Sequence, residues 1–342
     1  AVGADPVGAG PVGAGPAPAG PGSADPGGTV LTPHPPGPPN RPPAPGVELR
    51  TGTARAFGTF GELLQGALPD GPEFLVTLPV DRWARARFRL DPDGPLRVFP
   101  ADKTKTRRVA EAMLAAIGRP AGGVLVLDGD LPVGKGMASS SADLVATVRA
   151  VGAALGLDTS PAAVERWLRP IEPTDGVMHP GVVAFEHREV RLRERLGGLP
   201  AATVVAVDEG GLLDTVAFNR VPKAYSPAQR AEYAELLAEL AAAVRAGDLA
   251  RVGAVATRSA VLNQRLAPKR NLDAMLAIAA RVGAEGVVCA HSGTLLGVLL
   301  DGTAADHGPR LAAALAACST LPGTATTVRA LTLQDMELAH AA

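Results

Sequence analysis

Aromatic residues are scarce, at 3% of a chain of 342 residues in which 46% are hydrophobic. The core must therefore be built from Ala, Val and Leu. Cysteine is nearly absent. Cys289 and Cys318 form no Cys-x-x-Cys and no metal-ligand spacing, which excludes a disulfide framework and a thiolate zinc site. Both are expected as small buried hydrophobes. Neither sign of charge is in excess: 33 Lys and Arg face 34 Asp and Glu, a net charge of −1. That balance lacks the basic footprint of a nucleic-acid binder and of a polybasic membrane anchor. No apolar run reaches the roughly 18 residues a membrane span needs. The first residues have neither the basic nor the apolar region of a secretory signal. The expectation is a cytoplasmic protein whose partners are small molecules, with no nucleic acid and no membrane.

Proline and glycine are abundant at the start, filling 25 of the first 46 positions. Such a segment buries too little apolar surface to offset its ordering entropy, so 1–46 is expected to be a disordered tail with polyproline II character. Folded sequence begins near Val47, and its length suits two domains. Ala84–Leu90 alternates with period two, as a half-buried strand does. Phe74–Val80, Val124–Leu127, Thr203–Val207, Val287–Ala290, Leu295–Leu300 and Thr326–Leu333 read as further strands. Helices are expected over Thr104–Ile117, with Val109, Met113 and Ala116 on one face, and over Ser139–Leu155, where Gly156 stops the helix. Ser226-Pro227 opens another that ends at Gly247; Asp248 caps the next. Asn271–Val282 and Arg310–Cys318 complete the set. Strands and helices intermix without a strict βαβ rhythm, which indicates an α+β fold.

The segment Asp130-Leu-Pro-Val-Gly-Lys-Gly-Met-Ala-Ser-Ser-Ser-Ala-Asp143 carries the clearest chemistry. A strand leads into two glycines two residues apart, and the loop delivers three serines to a helix start. Glycine admits positive φ and close approach of a ligand to the backbone. The first amides of a helix have no internal partner and favour an anion. Together they make a phosphate cradle. The competing reading is a capped helix after a turn, since Ser140 and Asp143 have capping-box spacing. Gly129 and Gly134-Lys135 imitate a Walker A loop, but Gly136 stands where its Ser or Thr must be.

Pro132-Val-Gly-Lys-Gly-Met-Ala-Ser-Ser-Ser-Ala142 resembles the phosphate-binding motif of the GHMP kinases, Pro-x-Gly-x-Gly-Leu-Gly-Ser-Ser-Ala. Met137 replaces Leu, Ala138 the third Gly and Ser141 the Ala. Gly61-Glu-Leu-Leu-Gln-Gly66, with Phe57 where Pro is usual, and Ile171-Glu-Pro-Thr-Asp-Gly176 are similar to the branch that phosphorylates L-threonine in cobalamin synthesis. His291-Ser-Gly-Thr294 resembles the third GHMP motif. The four segments occur in the family's order between Arg55 and Leu300.

The resemblance implies two domains with ATP and substrate in the cleft between them. One is like ribosomal protein S5 domain 2 (47–198) and one is ferredoxin-like (199–342). It also implies ATP and Mg²⁺ as cofactors. Pro132, Gly134, Lys135, Gly136, Met137, Ala138, Ser139, Ser140 and Ser141 would hold the triphosphate, with Ser292 and Gly293 beside it. Ser140 and Glu172 would hold the metal, with Glu165 as the alternative carboxylate. Asp175 would act as base or orient the substrate hydroxyl, Lys135 would assist, and Glu62, Asp175 and Thr294 would contact substrate. Each has a plainer reading: a solvated helix face for Glu165, a turn for Asp175 and for Ser292 to Thr294, a core hydrogen bond for Glu62. His291 reads as structural, and Arg258, Asn263 and Gln264 as solvated. The leading expectation is ATP-dependent conversion of L-threonine to O-phospho-L-threonine. Alternatives are another hydroxyl acceptor such as homoserine, and a catalytically weak nucleotide-binding regulator.

Overall fold

A computed structural model of the chain describes residues 50–69, 71–118, 122–211 and 223–341. The expected tail lies outside them. The frame is an antiparallel pair of long strands, β1 (Thr51–Ala67) and β2 (Glu73–Asp91). The two runs expected at Phe74–Val80 and Ala84–Leu90 are one strand. On its far side β2 pairs with β4 (Gly122–Gly129), which pairs in parallel with β3 (Leu96–Phe99). Strands β5 (Val182–Glu186) and β6 (Arg191–Gly197) form a hairpin against β2. Strand β1 also meets β8 (Gly286–Cys289), which continues through β9 (Leu295–Asp301) and β7 (Ala202–Asp208) to β10 (Thr324–Arg329). The parts expected at 47–198 and 199–342 thus share one ten-stranded sheet among the described residues.

The join between them is made by a kink in β1. The β1–β2 register shifts three times between Phe57 and Leu64, and Gly61 sits there at φ +51°. A Cβ at Gly61 would lie 2.3 Å from the carbonyl oxygen of Cys289, so only glycine permits the close crossing of β1 and β8. Beyond it Glu62 pairs with Cys289. Exposure alternates along β1 before the kink, and every residue after it is buried.

That change follows from the layers. On one side of the kink, α1 (Thr104–Ala116), α2 (Ser139–Leu155) and α3 (Pro161–Leu168) close an aliphatic core over β1, β2 and β4. On the other, helices cover both faces. Val204, Ala206 and Val288 pack with α4 (Pro227–Ala246) and α5 (Leu249–Asn263). Their neighbours Val205, Val207 and Val287 pack with α6 (Leu272–Val282) and α7 (His307–Cys318). Period-two alternation between two cores explains why these strands read as unbroken apolar runs.

Local signals set the ends. Ser226 and Gln229 complete a capping box with Pro227 in the first turn, and Gly247 closes α4 in the left-handed conformation. Ala116, expected inward, is exposed, and Leu114 takes its place in the core. The strand expected to reach Leu333 stops at Arg329. Thr332 Oγ1 accepts the amide of Asp335, and this cap opens α8 (Leu333–Ala341). Cys289 and Cys318 are buried free thiols.

Candidate active site

The glycine loop after β4 is fixed at both flanks. The Asp130 carboxylate accepts the Trp83 amide at 2.5 Å, which pins the loop to β2. Gly61 donates to the Gly136 carbonyl at 2.9 Å, and Thr59 donates to that of Met137 at 3.2 Å. The Thr294 amide donates to the Lys135 carbonyl at 3.1 Å, so the loop is held between β1 and the turn after β8. Gly136, at φ +89°, has no room for a side chain: its Cβ would fall 2.3 Å from that of Ala290. Ala138 takes φ +56° without being glycine, at the position where the family motif has its third Gly.

Ala138 is the N-cap of α2 and supplies no side-chain bond to the first amides. The capping-box reading of Ser140 and Asp143 is therefore corrected. Asp143 is instead drawn to Lys103 Nζ at 2.7 Å, and its pKa is raised by burial. The serine side chains turn to the segment between α3 and β5. Ser140 donates to Glu172 Oε1 at 2.5 Å, while Lys105 binds the other Glu172 oxygen. Ser141 accepts the Asp175 amide and donates to Asp175 Oδ2, both at 3.1 Å. Ser141, expected on the phosphates, thus positions Asp175. Burial first, then the nearby Glu62 charge, push the Asp175 carboxyl up to about 7.

Glu62 enters the same cavity across the kink of β1. Its Oε2 accepts both the His291 amide and Nδ1–H, each at 2.9 Å. A carboxylate only accepts, so Nδ1 carries the proton and Nε2 faces the Ser259 hydroxyl at 2.8 Å. Ser259 in turn accepts the backbone N–H of Gln65 at 3.3 Å. His291 is structural, as expected, and its task is to hold Glu62. Asn263, expected in solvent, is buried beneath this group with its amide 3.5 Å from the His291 carbonyl.

Glu62, Glu172, Asp175 and the three serines line a cavity of about 220 Å³. Of the residues singled out in the sequence, Pro132, Lys135, Gly293 and Thr294 do not line it. Lys135 reaches Asp208 at 2.8 Å and the Gly211 carbonyl at 2.7 Å. Thr294 donates to the other Asp208 oxygen at 2.6 Å. Lys135 and Thr294, expected in catalysis and in substrate contact, both bind Asp208 and so clasp two loops together. Gly293 lies behind the wall, its carbonyl bound by the buried Lys269 at 2.5 Å. Glu165 is neither solvated nor near the serines. It is buried, pairs with His179 at 2.7 Å and accepts the Leu192 amide at 3.0 Å.

Seven lining residues had drawn no role from the sequence: Gln65, Leu75, Lys105, Val133, Pro173, Thr174 and His187. Lys105 lies in an ordinary amphipathic helix and His187 just after a strand, so neither carried a local signal. Among the described residues no group of three His, Cys, Asp or Glu comes together to cage a metal. No described helix is long and apolar enough to cross a membrane.

The GHMP kinases N terminal domain family matches residues 104–185, from α1 to β5. The chain is 30% identical to the L-threonine kinase of Salmonella typhimurium over 262 residues, covering 72% of this chain and 82% of that protein. It is 28% identical to the L-threonine kinase of Citrobacter freundii, covering 72% and 86%. Among solved structures, homoserine kinase from Cytophaga hutchinsonii superposes with a TM-score of 0.65 at 16% identity, over 83% of this chain and 96% of that one. Mevalonate-3-kinase from Thermoplasma acidophilum, with mevalonate 3-phosphate and ADP bound, gives 0.63 at 14% identity, over 83% and 96%. These two share the α+β fold expected from the sequence. The chain belongs to the GHMP kinase family, and it is a small-molecule kinase that phosphorylates a hydroxyl.

Proposed function

We propose that this kinase transfers the γ-phosphoryl group of ATP to the side-chain hydroxyl of L-threonine, giving O-phospho-L-threonine and ADP. The observation that carries the reading is the pairing, in one cavity, of an uncapped helix start lined by serines with a half-buried carboxyl pushed up to about 7. The glycine loop and the residues opening α2 line the cavity, and their amides suit the triphosphate. Ser140 and Glu172 offer two hard oxygens side by side, a donor set that fits Mg²⁺ shared with phosphate. Such an ion, when bound, supplies charge neutralisation at the phosphates.

Asp175 is held by Ser141 through two bonds and accepts the proton of the attacking hydroxyl. The hydroxyl oxygen forms a bond to the γ-phosphorus as the bond to the β–γ bridging oxygen breaks, and ADP leaves with that electron pair. Ionised and protonated forms of Asp175 are comparably populated near neutral pH, which matches a general base to its task. Threonine as the acceptor is supported by the two L-threonine kinases to which most of the chain aligns. Mass spectrometry after incubation with ATP, Mg²⁺ and a mixture of serine, threonine and homoserine tests it. Phosphothreonine as the dominant product is expected. Phosphohomoserine alone would move the assignment to another acceptor, and ATP binding without any phosphorylated product would make the chain a regulator.

A further inference from the structure

The cavity is also lined by two buried polar groups that the reaction above leaves unused. His187 follows β5, is 2% exposed, and lines the cavity. Neither of its ring nitrogens has a hydrogen-bond partner among the described residues. Its carbonyl accepts the Thr174 amide at 3.0 Å, so its backbone is tied to the segment that carries Asp175. Gln65 lines the same cavity, and its Oε1 is likewise buried without a partner. Buried polar side chains are nearly always satisfied, so two orphans facing one cavity point to a ligand that satisfies them.

The surrounding charges specify the ligand. Behind His187, Arg188 pairs with Glu73 at 3.1 Å and Lys223 lies 3.6 Å from the same carboxylate. Both cations act on the His187 ring, so the field there is positive. Burial, then Lys223 and Arg188, hold the imidazole down to about 3, so it is neutral at physiological pH. A neutral imidazole has one N–H to donate, and an amide oxygen only accepts. Glu62, Glu172 and Asp175 make the rest of the cavity acidic. Away from Lys105 and the glycine loop, a carboxylate is repelled by these acids and drawn to the His187 end.

We infer that His187 and Gln65 form the acceptor-specificity subsite, the His187 N–H binding the α-carboxylate of an amino-acid substrate and the Gln65 oxygen its ammonium group. The inference rests on the amino-acid reading above and deepens it. With the carboxylate at His187, the hydroxyl is left for Asp175, and Leu75 offers an apolar surface to the methyl group.

The test compares L-threonine with 1-amino-2-propanol, which keeps the hydroxyl and amine and lacks the carboxylate. In His187→Gln the preference for L-threonine, as the ratio of kcat/KM values, should fall about tenfold or more, chiefly through the KM for L-threonine. An unchanged ratio, whether both substrates weaken together or neither does, overturns the inference. Should that variant not fold by circular dichroism, Gln65→Met decides. Its preference for L-threonine over 3-hydroxybutyrate, which lacks the amine, should fall, and an unchanged preference overturns the inference. Wild-type enzyme that phosphorylates no hydroxy amino acid would instead remove the reading on which both rest.

Discussion

The two walls of the cavity are built in opposite ways. The wall proposed for the phosphates comes from one continuous segment, Gly134 to Ser141, with its backbone pinned to Thr59, Gly61 and Thr294. The wall proposed for the acceptor is collected from Glu62 and Gln65 on β1, Leu75 on β2, Asp175 before β5 and His187 after it. A phosphate chain is bound by amides and hydroxyls that any chain supplies in sequence. A particular alcohol needs side chains brought in from several strands. Conservation of chemistry along the first wall and freedom to vary along the second would let one fold serve many acceptors.

Substitutions can break this comparison in order of size. Asp175→Ala should cost about 10²–10⁴-fold in kcat, with ATP affinity much less affected. Equal loss in both would place Asp175 with the phosphate wall. Gly136→Val should act the other way. A side chain 2.3 Å from Ala290 Cβ must displace the loop, so ATP affinity should fall at least about tenfold by calorimetry. If ATP binds normally, the loop does not set the phosphate wall.

The pH dependence sharpens the same division. With Asp175 raised to about 7, the active base form grows as pH rises, so kcat should climb across neutrality and level off above it. Its effect on stability has the opposite sense. A carboxyl whose folded-state pKa lies above its unfolded value is best tolerated when protonated. Its stability contribution is full below the unfolded value and is lost as pH rises through about 7. Asp175→Asn should therefore gain thermal stability over the wild type at pH 8 and lose that advantage at acid pH. A pH-independent difference between the two melting temperatures would contradict the assignment.

The smallest effect expected is at Ala138. Left-handed backbone strains an alanine, so Ala138→Gly should stabilise the protein by up to about 1 kcal/mol in denaturant melts, with ATP affinity little changed. Destabilisation would show that the methyl group packs well enough to outweigh the strain.

Legibility in the sequence follows the same line between local and distant. The helix Ser139–Leu155 is found at its expected limits because its apolar spacing and Gly156 both act within a few residues. The α4 cap and stop were readable for the same reason. The Thr332 cap was equally local but went unread, and the expected strand ran past it. Glu62 stood out as part of a motif, yet its bonds to His291 come from 229 positions away. Lys135 stood out beside two glycines, and its ion pair with Asp208 comes from β7, far along the chain. Glu165 looked solvated on a short helix, and His179 buries it.

The amino-acid order alone determined the aliphatic core, the two-glycine turn, the helix behind it and the family pattern that joins four segments. Each depends on short-range sterics, capping or periodicity, which neighbouring residues settle among themselves. Tertiary structure decided which serine meets which carboxylate, which lysine meets Asp208, and that His187 and Gln65 line the cavity with polar atoms unpartnered among the described residues. Those outcomes turn on burial and charge from strands far apart in the chain, and neither exists until the sheet has closed around the cavity.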